Sequence, residues 1–346
     1  MSFQSKLILW YSDKKRDLPW RATNNPYTIW LSEIILQQTQ IKQGLPYYEE
    51  FVANYPTVFD LAEASETSVL KLWQGLGYYS RARNLHTTAK HIAYELNGKF
   101  PDNYKDLLKL KGVGDYTASA IASIAFNEPA AVVDGNVYRV LSRYFGIDTP
   151  INTSAGIKEF KTLASSLILK DQPATYNQAL MEFGALQCKP KNPNCEACPL
   201  NANCAALQHQ RVGELPVKLK KTKITTKYFN FIVGIDQQQQ TFIEQRTHKG
   251  IWQNLYQFPL IESDKSLSSE EFHKLKLENS ILEDLTFDYA LYNEVDVIHK
   301  LSHQHLHTKF WIIETQSLPE GAIPIKSLKK YPVPALINDF ITQFGF

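Results

Sequence analysis

All four cysteines of this 346-residue chain fall in one run, Cys188-x6-Cys195-x2-Cys198-x5-Cys204. No other feature limits its folding so tightly. In a reducing compartment, clustered thiols point to a metal centre rather than to disulfides. Four thiolates without a histidine suit zinc or a cubane iron–sulfur cluster. The spacing lacks the paired CxxC…CxxC of a zinc ribbon. Pro190, Pro193 and Pro199 pre-shape the short loops around one compact group.

The stretch Leu107–Asp134 is the second anchor. A short helix ending at Lys111, the turn Gly112-Val113-Gly114, and an apolar helix over 117–125 make a helical hairpin. Its two glycines turn the backbone sharply and point N–H groups outward. With the positive end of the following helix they form a seat for a phosphate. Asp134 follows, in Val133-Asp134-Gly135-Asn136-Val137. One part of this layout can hold a nucleic-acid backbone while the other faces one of its sugars.

Formal net charge is only +2, but it is unevenly spread. Residues 1–226 carry 26 basic against 20 acidic side chains, and residues 227–346 carry 11 against 15. A basic first part suits contact with nucleic acid. No apolar run reaches membrane-spanning length. The N-terminus lacks a signal-peptide or transit-peptide pattern, which implies an intracellular protein.

Helical periodicity dominates residues 1–210, including a helix over Thr28–Gln43 with Ile29, Trp30, Ile34, Ile35 and Ile41 on its apolar face. Residues 211–226, with Pro216 and a lysine-rich run, read as a linker. From residue 227 β-type runs appear at 228–235, 241–245, 286–298 and 305–314, with helices near 269–277 and 334–343. The expected fold is multidomain: an all-α domain, 1–210, followed by an α+β domain, 227–346.

Three further stretches carry a family likeness: Leu18-Pro19-Trp20-Arg21, the run Trp30–Gln40, and the run Gly75–Asn84. With the hairpin, the Asp134 motif and the cysteine spacing, residues 1–210 resemble the helix-hairpin-helix, endonuclease III-like DNA glycosylases. Within them the chain resembles the adenine DNA glycosylases. The resemblance implies a 4Fe-4S cluster on Cys188, Cys195, Cys198 and Cys204. It also implies a monofunctional glycosylase that removes adenine paired with 8-oxoguanine in double-stranded DNA. A monomer is expected, with no membrane partner, in a bacterial cytoplasm at the nucleoid.

Cleaving the bond between adenine and its sugar needs a proton for the base and an anion for the cationic sugar. Glu33 sits among Leu31, Ile34, Ile35 and Leu36, where burial would raise its pKa. The resemblance makes it the acid for N7 of adenine, and makes Asp134 the stabilising anion. Asp134 also suits a helix N-cap. Tyr116 is a candidate third member near the sugar. The endonuclease III branch has a lysine at that position, which forms a Schiff base; a phenol cannot. The abasic site is therefore expected to stay uncut.

By the same resemblance, Trp20, Arg21 and Glu182 line the adenine pocket. Gln38, Thr39 and Tyr78 contact the DNA around the flipped base, and Gly112 and Gly114 seat its backbone. Arg81 and Arg83 are either phosphate contacts or solvated charges. Residues 227–346 resemble a Nudix-like domain through the run Arg246–Pro259. The REUxEExGU helix of a working Nudix hydrolase does not follow Pro259, so no hydrolase activity is expected there. A Phe-Ser-His loop reads 8-oxoguanine in the family; here it is Leu301-Ser302-His303.

Overall fold

The computed structural model describes residues 1–219, 224–276, 288–316 and 318–346. It divides into two compact units: residues 1–63 with 83–220, and residues 64–82 with 221–346. The segment 64–82 reads from sequence as part of the helical domain. Its contacts group it instead with the C-terminal unit: Gln74 bonds Asn338 at 2.8 Å, Lys71 bonds the Tyr331 carbonyl at 3.2 Å, and Asn254 donates to Glu66.

The first unit is helical. Asn25 caps the helix Pro26–Leu36, accepting from the Tyr27 N–H at 2.9 Å, and Pro26 supplies its first turn. This helix is apolar nearly all round and buries Tyr27 and residues 29–35. Such a helix belongs in a core. The expected helix over Thr28–Gln43 is broken in two, because Gln38 takes a left-handed backbone with φ 54°. A second helix starts at Ile41 and runs to Asn54. The hairpin is shorter in its first arm than expected, with helices Tyr104–Leu107 and Asp115–Phe126. Gly112 turns at φ 80°, and a Cβ there would sit 2.8 Å from that of Asn84.

Helix Gly135–Phe145 begins at Asp134, and Thr153 caps helix Ser154–Leu167. Helix Pro173–Leu186 packs on Phe3–Lys14, Asp115–Phe126 and Gly135–Phe145. Gly184 permits the last of these contacts, since a Cβ there would lie 2.6 Å from that of Asn136. Phe3, Leu7, Val137, Leu141, Phe160, Leu180 and Phe183 build one continuous core between these helices.

The second unit is α+β. Strands Thr225–Asp236 and Gln304–Thr315 lie side by side and parallel over their full length, with Phe231 opposite Phe310. Leu260–Ser263 pairs antiparallel with the first; Asp288–Leu291 and Val297–Lys300 pair antiparallel with the second. Gln240–Thr241 and Ile323–Pro324 extend this seven-stranded sheet. Parallel neighbours need a crossover, and helix Ser269–Lys276 lies on that connection. Each face of the sheet takes a stacked aromatic pair, Phe310 on Phe340 at 4.0 Å and Trp311 on Phe272 at 3.9 Å. Pro259 is followed by the strand Leu260–Ser263.

Candidate active site

Glu33 lies on the Pro26–Leu36 helix and is 8% exposed. Burial pushes its carboxyl from an ordinary 4.5 up to about 7. A hydrogen bond from Tyr116 lowers it, the charge of Asp134 raises it, and Arg21 lowers it again. A group with a pKa near neutrality can donate a proton at neutral pH, which an ordinary carboxylate cannot.

Tyr116 sits in the first turn of the hairpin's second helix. Its hydroxyl lies 3.5 Å from Met181 Sδ as well as against Glu33. Burial, then the two neighbouring carboxyls, push its phenol well above 10, so it stays a donor.

Asp134 is half-buried and caps its helix as expected. One oxygen accepts the backbone N–H groups of Asn136 and Val137 at 2.9 and 2.8 Å; the other accepts the Asn136 side-chain amide at 2.7 Å. Burial raises its pKa, while those donors stabilise the anion and work against the rise. Asn136 is held in turn by Arg139, which donates to its Oδ1 at 2.8 Å and to the carbonyls of Gly184 and Cys188. Glu33, Tyr116 and Asp134, distant in sequence, thus meet in one buried region of the first unit.

Arg21 connects this region to Glu182. Its two terminal nitrogens donate to both Glu182 oxygens, at 2.9 and 2.8 Å. Arg16 makes a second fork onto the same carboxylate at 2.9 and 2.6 Å. Burial alone would raise the Glu182 pKa; the two guanidiniums bring it down to about 2. Arg16 escaped the sequence reading, because a lone arginine among Lys14, Lys15 and Asp17 looks like a solvated charge. Trp20 packs edge-on against Tyr48 at 5.1 Å.

Gln38 is exposed at the helix break, and Thr39 bonds back to the Gln37 carbonyl at 3.3 Å. Gly112 and Gly114 are both exposed, and a Cβ at Gly114 would meet nothing within 4 Å. The nearby Lys161 amine is fully engaged, with Asp115 at 2.9 Å, Ser119 at 3.0 Å and the Ala131 carbonyl at 2.8 Å.

Tyr78 belongs to the second unit, where it is 47% exposed with φ 47°. Its hydroxyl lies 2.5 Å from that of Ser302. Leu301, Ser302 and His303 form the tight turn between two strands, closed by the Leu301 N–H on the Gln304 carbonyl at 2.8 Å. Ser302 and His303 are exposed, and Leu301 is half-buried. Arg81 does not face solvent: it is 8% exposed, with its guanidinium 5.0 Å from the Trp73 ring.

Cys188, Cys195, Cys198 and Cys204 line a single small cavity with Arg143 and Leu207. Arg143 donates to Cys188 Sγ at 3.4 Å and to the carbonyls of Lys189, Pro190 and Leu215. Backbone N–H groups of Leu200 and Leu207 point at Cys198 and Cys204. Among the described residues no group of three or more His, Cys, Asp or Glu side chains is drawn together to hold a metal ion. Nor is any helix among them long and apolar enough to cross a membrane.

Residues 31–164 match the family described as HhH-GPD superfamily base excision DNA repair protein, and residues 230–343 match the NUDIX domain. The adenine DNA glycosylase of Buchnera aphidicola subsp. Baizongia pistaciae is 36% identical over 90% of this chain and 86% of its own length. That of Rattus norvegicus is 45% identical over 62% of this chain and 43% of its own. Among solved structures, a thermostable thymine-DNA glycosylase superposes with a TM-score of 0.56 at 32% identity, covering 60% of this chain and 95% of its own.

Proposed function

The chain belongs to the adenine DNA glycosylases, enzymes of base excision repair, and from that premise we propose that it hydrolyses adenine from opposite 8-oxoguanine or guanine. The observation that carries the mechanism is the buried Glu33 carboxyl, held near pH 7 beside Tyr116 and Asp134.

The substrate adenine leaves the base stack to reach this region. Glu33 gives its proton to N7, so the base departs neutral as the N-glycosidic bond breaks. Positive charge then develops on the sugar, and the Asp134 carboxylate faces it. Water adds to the anomeric carbon and its proton returns to the Glu33 carboxylate. The products are free adenine and an abasic site. Tyr116 orients Glu33 and supplies no amine, and Lys161 is tied to three acceptors, so the strand stays intact.

Trp20, Arg21 and Glu182 bound the adenine site, with Arg21 fixed by its fork onto Glu182. Gln38, Thr39 and Tyr78 contact the distorted duplex; Gln38 and Tyr78 both present exposed side chains from left-handed backbone. Gly112 and Gly114 receive a phosphate. Ser302 and His303 read 8-oxoguanine from their exposed turn, beside the half-buried Leu301.

The four cysteines fit a 4Fe-4S cluster: four thiolates around one cavity, with N–H groups and a guanidinium directed at sulfur. Cys188, Cys195, Cys198 and Cys204 would hold it. When bound, the cluster would order the 188–204 loop and offer redox chemistry. The protein works as a monomer on double-stranded DNA in the cytoplasm, at the nucleoid.

The test is excision from a panel of duplexes: adenine opposite 8-oxoguanine, adenine opposite guanine, and thymine glycol opposite adenine. Release from the first two alone supports the reading. Release of thymine glycol with strand cleavage would replace it with a bifunctional lyase.

A further inference from the structure

Asp134 is carried by a segment with no helix or strand of its own. Residues 127–134 join the hairpin's second helix to Gly135–Phe145, and Ala131, Val132 and Val133 are nonetheless buried. Buried backbone groups need partners, and no ladder or helix supplies them here.

Asn177, on the Pro173–Leu186 helix and 1% exposed, supplies two. Its Nδ2 donates to the Ala130 carbonyl at 2.8 Å, and its Oδ1 accepts the Val132 N–H at 3.3 Å. The amide thus pairs with one residue-pair of the segment as a neighbouring strand would. Its orientation is unambiguous, because a carbonyl only accepts and an N–H only donates. The second Nδ2 hydrogen goes to Ser123 at 2.9 Å, on the hairpin helix. From another side, the Lys161 amine takes the intervening Ala131 carbonyl at 2.8 Å. Residues 130–132, two to four positions before Asp134, are therefore gripped by two side chains.

The helix that carries Asn177 also carries Glu182, which fixes Arg21. We infer that Asn177 is a positioning residue: it sets where the Asp134 carboxylate stands relative to the bound base, with Lys161 as a second hold. The inference rests on the proposed role of Asp134. Asn177 touches no substrate, so its loss acts through geometry. A displacement of about an ångström at a reacting group can cost on the order of a hundredfold in rate.

The experiment is single-turnover excision from a duplex with adenine opposite 8-oxoguanine, with duplex affinity and thermal melting measured on the same samples. The full-length proteins are wild type, Asn177→Ala, Lys161→Met and Asp134→Asn. Asn177→Ala should excise about 10- to 100-fold more slowly while binding the duplex within about twofold of wild type. Its rate should fall at every pH, because burial, the largest influence on the Glu33 carboxyl, is unchanged. Lys161→Met, at a partly exposed site, should show the same split more weakly, and it covers the case in which Asn177→Ala does not fold. A folded Asn177→Ala or Lys161→Met that excises at the wild-type rate, while Asp134→Asn does not, would overturn the inference. Full excision by Asp134→Asn would instead remove the role of Asp134 on which it stands.

Discussion

The carboxylate of Asp134 raises the pKa of Glu33. The two side chains come from different helices and share one buried region, yet their surroundings differ. Asp134 sits on three N–H donors at a helix start, which oppose the rise that burial gives its carboxyl. Glu33 sits on an apolar helix, with burial the dominant influence, and reaches about 7. Pairs of carboxyls whose environments differ in this way divide naturally into an acid and an anion.

Glu33 must hold its proton to act, so excision should fall as pH rises through about 7. The check is the single-turnover rate from pH 5.5 to 9. The account requires a falling alkaline limb with a midpoint near 7; a rate that rises steadily across that limb would assign the acid elsewhere.

The same shift has a consequence for stability. Below pH 4.5 Glu33 is protonated in both the folded and the unfolded chain, and its own contribution to stability is fully present. As pH rises toward about 7 the unfolded chain ionises first, and stability is lost. A rise from 4.5 to about 7 corresponds to about 3 kcal/mol. Glu33→Gln should therefore be more stable than wild type by up to about 3 kcal/mol at pH 8, with the difference shrinking toward pH 5. Urea unfolding at the two pH values measures it.

Glu182 behaves in the opposite sense. Buried and forked by Arg16 and Arg21, it is anionic down to about pH 2. Glu182→Ala leaves two guanidiniums facing an empty site and should destabilise the protein by about 3 kcal/mol. A double-mutant cycle with Arg21→Ala should show strong coupling in melting experiments. Additive losses would mean that the fork contributes little.

In the second unit, Tyr78 and Ser302 share a hydrogen bond at 2.5 Å. Removing it with Tyr78→Phe or Ser302→Ala should lower the preference for adenine opposite 8-oxoguanine over adenine opposite guanine by about 3- to 10-fold. The double variant should lose little more than either single one. Independent losses would show that each hydroxyl acts without the other.

Much of the candidate site's geometry was legible because its residues sit in patterned segments. Glu33 stands out as an acid among apolar neighbours, Asp134 as an N-cap, and Gly112 and Gly114 as a turn. The helix break at Gln38 was not legible: Gln-Gln-Thr-Gln contains neither glycine nor proline, and the packing of Ile41–Asn54 on Pro26–Leu36 is a tertiary contact. Arg16, Lys161 and Asn177 were invisible for a different reason. Each acts on a partner tens of residues away or more, and no local spacing encodes such contacts. The allegiance of 64–82 to the second unit was hidden too, since its helix Glu66–Leu72 has the same pattern as those of the first.

The most direct test compares single-turnover excision by wild type, Glu33→Gln and Asp134→Asn on a duplex with adenine opposite 8-oxoguanine, with and without alkali and borohydride. The account predicts that both variants lose at least about a hundredfold in rate. It also predicts that strands break only after alkali, and that borohydride traps no protein–DNA adduct with wild type. Wild-type excision by either variant, or a trapped adduct, would contradict it.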